Sequence, residues 1–124
     1  MTYDSNNIFA KMLRGEIPCD SVFENDYVLA FHDISPAAPI HVIIIPKGAY
    51  ISYHDFTHHA SDEEILAFHK AVQHIAQHLE ISNTGYRLIA NHGEHASQTV
   101  DHFHMHLLGG KNLGGLLHDD TLVR

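Results

Sequence analysis

The chain is short of cysteine, of positive charge and of long apolar runs, and each shortage excludes something. Cys19 is the one cysteine among 124 residues, so neither an intrachain disulfide nor a cysteine-built zinc site can form. Lysine and arginine number 7 against 15 acidic residues, a formal charge of −8 with histidine neutral. A broad nucleic-acid-binding surface needs clustered cations, and this composition does not supply them. A small anionic ligand held by local donors stays open. No apolar stretch approaches the roughly 20 residues that span a bilayer. Met1 to Asn7 is polar, without the basic and apolar sections of an export signal. The expectation is a reducing, cytoplasmic location, with neither nucleic acid nor membrane as partner.

What is present is a globular composition, 44% apolar and 18% charged, which fits one domain over residues 1–124 with a real core. Histidine is abundant. The 14 imidazoles run from His32 to His118, so they are not a purification tag, and their charge changes between about pH 5 and 8.

Asn6 or Asn7 is placed to cap a short helix over Ile8 to Arg14, with Gly15 to stop it. Ser21 to Glu24, the turn Asn25-Asp26 and Tyr27 to His32 read as a hairpin. After the breaker-rich loop Asp33 to Pro39, His41 to Pro46 is continuously apolar past its first residue, as a strand buried on both faces is. Lys47 to Ala60 lacks a period and reads as a loop with about one turn of helix. A zinc site from its His54, His58 and His59 is conceivable, but nothing in the sequence fixes its geometry. Ser61-Asp62-Glu63-Glu64 is a capping box opening a helix to about Leu79, with Ile65, Phe68, Val72, Ile75, Ala76 and Leu79 inward and His69, His74 and His78 outward. Ser82 to Gly85 is a turn, Tyr86 to Asn91 a strand and Asn91 to Ala96 a polar loop; a tail over Lys111 to Arg124 ends the chain. Elements in this order do not alternate strand and helix throughout. They predict an α+β domain, a roughly five-stranded antiparallel sheet with one long and one short helix.

The chemistry concentrates in Thr99-Val100-Asp101-His102-Phe103-His104-Met105-His106-Leu107-Leu108-Gly109-Gly110. Alternation along a strand puts His102, His104 and His106 on one side and Phe103, Met105 and Leu107 on the other. From spacing alone three readings stand. The row could hold a metal as three imidazoles with an open position. It could attack phosphorus, with His104 as nucleophile between two proton-handling neighbours. Or it could be a packed polar patch without turnover.

His102-Phe103-His104-Met105-His106-Leu107-Leu108 resembles the His-φ-His-φ-His-φ-φ signature of the histidine triad superfamily. The resemblance extends over about residues 8–115. Ile8-Phe9 with Arg14-Gly15-Glu16-Ile17-Pro18 is similar to its opening helix. Phe31-His32-Asp33-Ile34-Ser35-Pro36, Ala38-Pro39-Ile40-His41 and Ile45-Pro46-Lys47 are similar to its central block, and Gln98-Thr99-Val100 precedes the triad. Leu108-Gly109-Gly110 resembles the branch of histidine triad nucleotide-binding proteins.

That resemblance implies a homodimeric hydrolase of purine nucleoside phosphoramidates or aminoacyl adenylates. It would cleave the P–N bond through a covalent nucleotidyl-histidine, without metal or cofactor. His104 would be the nucleophile, its Nδ1–H held by a backbone carbonyl. His106 and Thr99 would contact phosphate oxygens, with backbone donors from Ser97, Gln98 and Thr99. His41 and His102 would complete the proton network. Asn91 would hold the phosphate side and Asp33 the ribose hydroxyls. Ile8, Phe9, Ile17, Phe31, His32 and Ile34 would enclose the base, with Met105 also in the substrate site. The long helix and the Tyr86–Asn91 strand would form the dimer interface. Two departures stand out: Ala96-Ser97 replaces the glycines common before Gln98, and Asp101 sets an acid beside the triad. A nucleotide sensor without turnover would share the same pocket, and a histidine-ligated metal protein is the remaining alternative.

Overall fold

Turn chemistry sets the first hairpin: Asn25 Oδ1 accepts from the backbone N–H of both Tyr27 and Val28 at 2.9 Å, an Asx turn that reverses the chain. In the computed structural model, which describes residues 2–122, β1 (Ser21–Glu24) and β2 (Val28–His32) pair across it. The central strand β3 (Ile40–Pro46) follows, and β4 (Tyr86–Ile89) and β5 (Met105–Gly109) complete one antiparallel sheet in the order β1-β2-β3-β5-β4. Three helices accompany it: α1 (Ile8–Leu13), α2 (Tyr53–His59) and α3 (Asp62–His78). None of the described helices is long and apolar enough to cross a membrane. Met1 and the last two residues of the C-terminal tail, Val123 and Arg124, lie outside the described residues.

The two faces of the sheet are covered unequally. Residues Val28, Ala30, Val42, Ile44, Met105 and Leu107 pack on one face against Phe56 of α2 and Phe68, Val72 and Ile75 of α3. Each fully buried large apolar side chain there contributes on the order of 1.5–3 kcal/mol. The capping box predicted for α3 is present, with Ser61 Oγ accepting from Glu64 N–H and Glu64 Oε1 from Ser61 N–H, both at 3.1 Å. On the opposite face α1 is too short to cover the sheet. Its Phe9 packs with Leu29, Phe31, Ile43 and Ile45, and the uncovered remainder becomes the candidate site.

Two expectations need correction. Residues 47–60 hold a seven-residue helix, α2, so there are two short helices beside the long one. Its signal was Ser52, whose Oγ accepts from Asp55 N–H at 3.2 Å; the histidines that follow obscured the apolar period. The triad segment is a regular strand only from Met105. The ladder to β3 runs from Ile40↔Gly109 to Ile44↔Met105. Beyond it Pro46 has no N–H to offer, and Phe103 N–H instead donates to Tyr50 O at 2.7 Å. The alternation of faces persists all the same: Phe103 stacks on Phe56, ring centroids 4.9 Å apart, while His104 meets Phe9 on the other side. Gly110 ends the strand at φ +91, where a Cβ would lie 2.9 Å from Pro39 Cβ, so glycine is required there.

Candidate active site

Backbone groups fix the tautomers of three histidines, and one of these fixes a fourth, because a peptide N–H can only donate and a carbonyl can only accept. His104 Nδ1 is 2.8 Å from His102 O, so it carries the proton and Nε2 keeps a lone pair. His102 Nε2 is 2.8 Å from Pro46 O and therefore donates. Its Nδ1 then accepts from Tyr3 Oη–H at 2.6 Å. His41 Nδ1 accepts from Ala37 N–H at 3.0 Å, which puts the His41 proton on Nε2. That nitrogen lies 2.8 Å from His106 Nδ1 and 3.5 Å from Asp33 Oδ2. His106 Nδ1 thus accepts, and its Nε2 bears a hydrogen. The result is a lone pair on His104 beside a donor on His106, with ring centroids 5.3 Å apart at 75°.

Burial disfavours the charged form of the three triad rings. Burial lowers His102 from 6.5 to about 4, against the opposing hydrogen bond to Pro46. His106 is lowered to about 4 by burial first and then by its neighbours His104 and His41, with Asp33 opposing. Burial also lowers His104. A neutral imidazole has its nucleophilic lone pair available without prior deprotonation.

The pair opens into a cleft of about 300 Å³. Ile8 and Phe9 of α1 form one wall, joined by Phe31, His32, Asp33 and Ile34 from the end of β2. Asn91, Ser97, Gln98 and Thr99 form the facing wall, and His104 and His106 the floor. Twelve of the residues proposed from the sequence therefore meet in one place. Asp33 is held by Ser35 N–H, which donates to its Oδ1 at 2.8 Å. Gln98 pins the facing loop: its side chain donates to Ile51 O and Val100 O and accepts from Gly93 N–H. Ser97 sits at φ +56, so the position where glycine was expected adopts a left-handed backbone despite its side chain.

Four proposed residues lie elsewhere. Met105 points to the α3 face and belongs to that core, as strand alternation requires. Ile17 is not in the cleft wall, where Pro18 and Cys19 stand instead. Burial raises the Cys19 thiol, with Glu24 and Asp20 adding to it, so it is not a thiolate. His41 lies behind His106. His102 is completely buried with both ring nitrogens committed away from the cleft; its own contribution is the carbonyl that holds His104. Asp101 lines a separate, larger groove of about 940 Å³ across Gln98, not the cleft. Tyr3 and Met12 were missed. Met12 lines the cleft from α1, one turn on from Ile8 and Phe9, and Tyr3 meets a partner 99 residues away, which no local pattern signals.

Asp33, His41 and His106 are also the set of described residues whose ligand atoms lie within 4.8 Å of one another. Two imidazole nitrogens on one tetrahedral zinc sit about 3.3 Å apart, given Zn–N of about 2.0–2.1 Å. The 2.8 Å between His41 and His106 is instead an N–H···N hydrogen bond, so this group fits a shared proton better than a shared cation.

A sheet of this order, carrying a triad whose middle histidine faces a cleft, defines a histidine triad fold, and comparison with known proteins agrees. The HIT domain family model matches residues 14–113, and the chain belongs to that family. A purine nucleoside phosphoramidase of Escherichia coli K12 is 46% identical over 111 residues, covering 89% of this chain and 92% of the relative. A HIT-like protein of Azospirillum brasilense is 47% identical over 116 residues, covering 94% and 95% of the two chains. Among solved structures, a histidine triad protein from Clostridium difficile superposes with a TM-score of 0.81 at 38% identity, covering 92% of this chain and 98% of its own. A HIT family hydrolase from Legionella pneumophila gives 0.77 at 41% identity, with 86% and 95% covered.

Proposed function

We propose that the protein is a cytoplasmic, homodimeric purine nucleoside phosphoramidase acting through a covalent nucleotidyl-histidine on His104. The observation that carries this reading is the lone pair on His104 Nε2 set beside the His106 Nε2–H in one cleft. The similarity to the Escherichia coli phosphoramidase supports the substrate class.

In the first step His104 Nε2 attacks the α-phosphorus of an AMP-type phosphoramidate or aminoacyl adenylate. The P–N bond breaks as the amine takes a proton from the water that attacks in the second step, or in an aminoacyl adenylate the acyl-phosphate P–O bond breaks and the carboxylate leaves without one; His106 keeps its Nε2–H and donates it as a hydrogen bond to a phosphate oxygen. The positive charge left on the His104 ring is stabilised by its Nδ1–H bond to the His102 carbonyl. In the second step the hydroxide formed from that water, or for an aminoacyl adenylate a water that gives its proton to the departed carboxylate, attacks the same phosphorus, the bond to His104 Nε2 breaks, and the nucleoside monophosphate leaves with His104 restored. His41 keeps His106 in the required tautomer. Of the backbone donors expected from Ser97, Gln98 and Thr99, the first two are turned inward, Ser97 N–H donating to Glu94 O and Gln98 N–H to Gly93 O; that leaves the Thr99 N–H and hydroxyl for the phosphate oxygens, preorganised stabilisation of a kind worth about 3–4 kcal/mol per donor. Asn91 holds the phosphate side, Asp33 takes the ribose hydroxyls, and Ile8, Phe9, Phe31, His32 and Ile34 enclose the base.

The dimer reading rests on the sheet edge. β4 ends the sheet with Tyr86 and Leu88 partly exposed, and Leu66 of α3 is exposed with them; an unpaired edge of this kind is commonly covered by a second copy. Sedimentation velocity at micromolar concentration is expected to show two chains, and a monomer would remove that part. For the activity, chelator-treated protein incubated with adenosine 5′-monophosphoramidate is expected to release AMP and ammonia. Binding of AMP without turnover would leave a nucleotide sensor, and activity that zinc alone restores would move the reaction to a metal.

A further inference from the structure

Histidines that the reaction does not use gather on a second surface. Capping of α2 by Ser52 places His54 and His58 four residues apart, one turn along the helix, with Cβ atoms about 5–6 Å apart. Two histidines at that spacing on one helix face are a recurrent zinc-binding arrangement. Both line the 940 Å³ groove, which also receives His92 from the loop after β4 and the carboxylates of Glu94 and Asp101. The rings of His54 and His92 have centroids 5.7 Å apart. Imidazoles sharing a tetrahedral zinc with Zn–N of about 2.0–2.1 Å have centroids about 5.2 Å apart, so this pair stands close to a ligating separation. The third ligand suggested by sequence, His59, is engaged elsewhere: its Nδ1 is 2.7 Å from Asp55 Oδ1, and Asp55 also accepts from Ile51 N–H. His58 is exposed and rests edge-on against His59 with centroids 4.6 Å apart. Its position four residues on from His54 puts it on the same face of α2.

We propose that His54, His58 and His92 form a binding site for a divalent transition metal of the zinc class, separate from the triad. Glu94, Asp101 or water completes the coordination. Imidazole nitrogens suit such ions, and the net charge of −8 favours any cation. A metal here ties α2 to the loop that carries Asn91, and so braces the wall of the nucleotide cleft from outside without entering it.

The test uses the full chain stripped with chelator, then titrated with Zn²⁺ by calorimetry and with Co²⁺ by visible absorption. One equivalent is expected to bind. The paired substitution His54→Asn with His58→Asn, and His92→Asn alone, should each weaken binding by at least about tenfold, since outer-shell changes alone cost about 10–100-fold. His59→Asn and His106→Asn should leave the affinity unchanged. All three proposed ligands are exposed, so the variants should keep the wild-type urea midpoint, which controls for folding. Absence of binding by the wild-type chain, unchanged affinity in the His54/His58 variant, or loss confined to His106→Asn would each overturn the proposal.

Discussion

Acidification from pH 7 to pH 5 is expected to destabilise the fold by about 2 kcal/mol through His102 alone. Its ring is fully buried, with Tyr3 donating to one nitrogen and Pro46 accepting from the other, and its pKa is lowered from 6.5 to about 4. The unfolded chain therefore binds a proton between those values that the folded chain does not, and stability falls as pH falls through that window. With 1.36 kcal/mol per unit, the loss is about 2 kcal/mol by pH 5 and about 3 kcal/mol by pH 4. His104 and His106 act in the same direction, and His106 contributes less because it is partly exposed. Asp55 and Glu64, whose carboxyls are lowered, lose their contribution mainly below the ordinary carboxylate range, so the interval from pH 7 to 5 belongs to histidine. Urea unfolding reads the effect directly. For a slope of about 1–2 kcal/mol/M the midpoint should drop by about 1–2 M. An unchanged midpoint would mean that folded His102 accepts a proton, and the chain from Tyr3 to Pro46 could not stand as described.

Asp33→Ala should weaken AMP binding by about 1–3 kcal/mol, the range for hydrogen bonds to a charged group; unchanged affinity in calorimetry would misplace the ribose. Tyr3→Phe leaves the buried Nδ1 of His102 without a donor. It should cost about 1–3 kcal/mol in urea unfolding and shift the His102 Nδ1 resonance in ¹⁵N NMR while Pro46 retains the tautomer; an unmoved resonance would refute the contact. Ser97→Gly removes a side chain from a backbone at φ +56 and should raise stability by up to about 1 kcal/mol. A loss of stability would show that the serine side chain compensates for its own strain.

Local chemistry made most of the fold legible. Asn7, the Asn25 turn, the Ser61 capping box and the continuous apolar run of β3 act within a few residues, and each is where the sequence places it. Helix α2 was obscured because five of its seven residues are histidine, aspartate or threonine, which carry no apolar period. The cleft was legible largely through resemblance, since Asp33, Asn91 and His104 are far apart in the chain. Strand alternation already set Met105 opposite the triad, against the substrate role that the resemblance implied, whereas no local pattern could carry the reach of Tyr3. Tyr3 reaches its partner, 99 residues away, only after the chain has folded. The triad read as one row, yet its members differ. His104 faces the cleft with a free nitrogen, His106 faces it with a hydrogen, and His102 is sealed beneath both, a division set by the carbonyls of Pro46 and His102 and the amide of Ala37.

The most direct measurement is to rapidly quench the enzyme during turnover of a labelled adenosine phosphoramidate, avoiding acid, and to locate the nucleotidyl group by mass spectrometry. The account predicts the label on His104 and none on His102 or His106, with His104→Ala losing both label and turnover while still binding AMP. A label on His106 or His102, or near-normal turnover by His104→Ala, would contradict it.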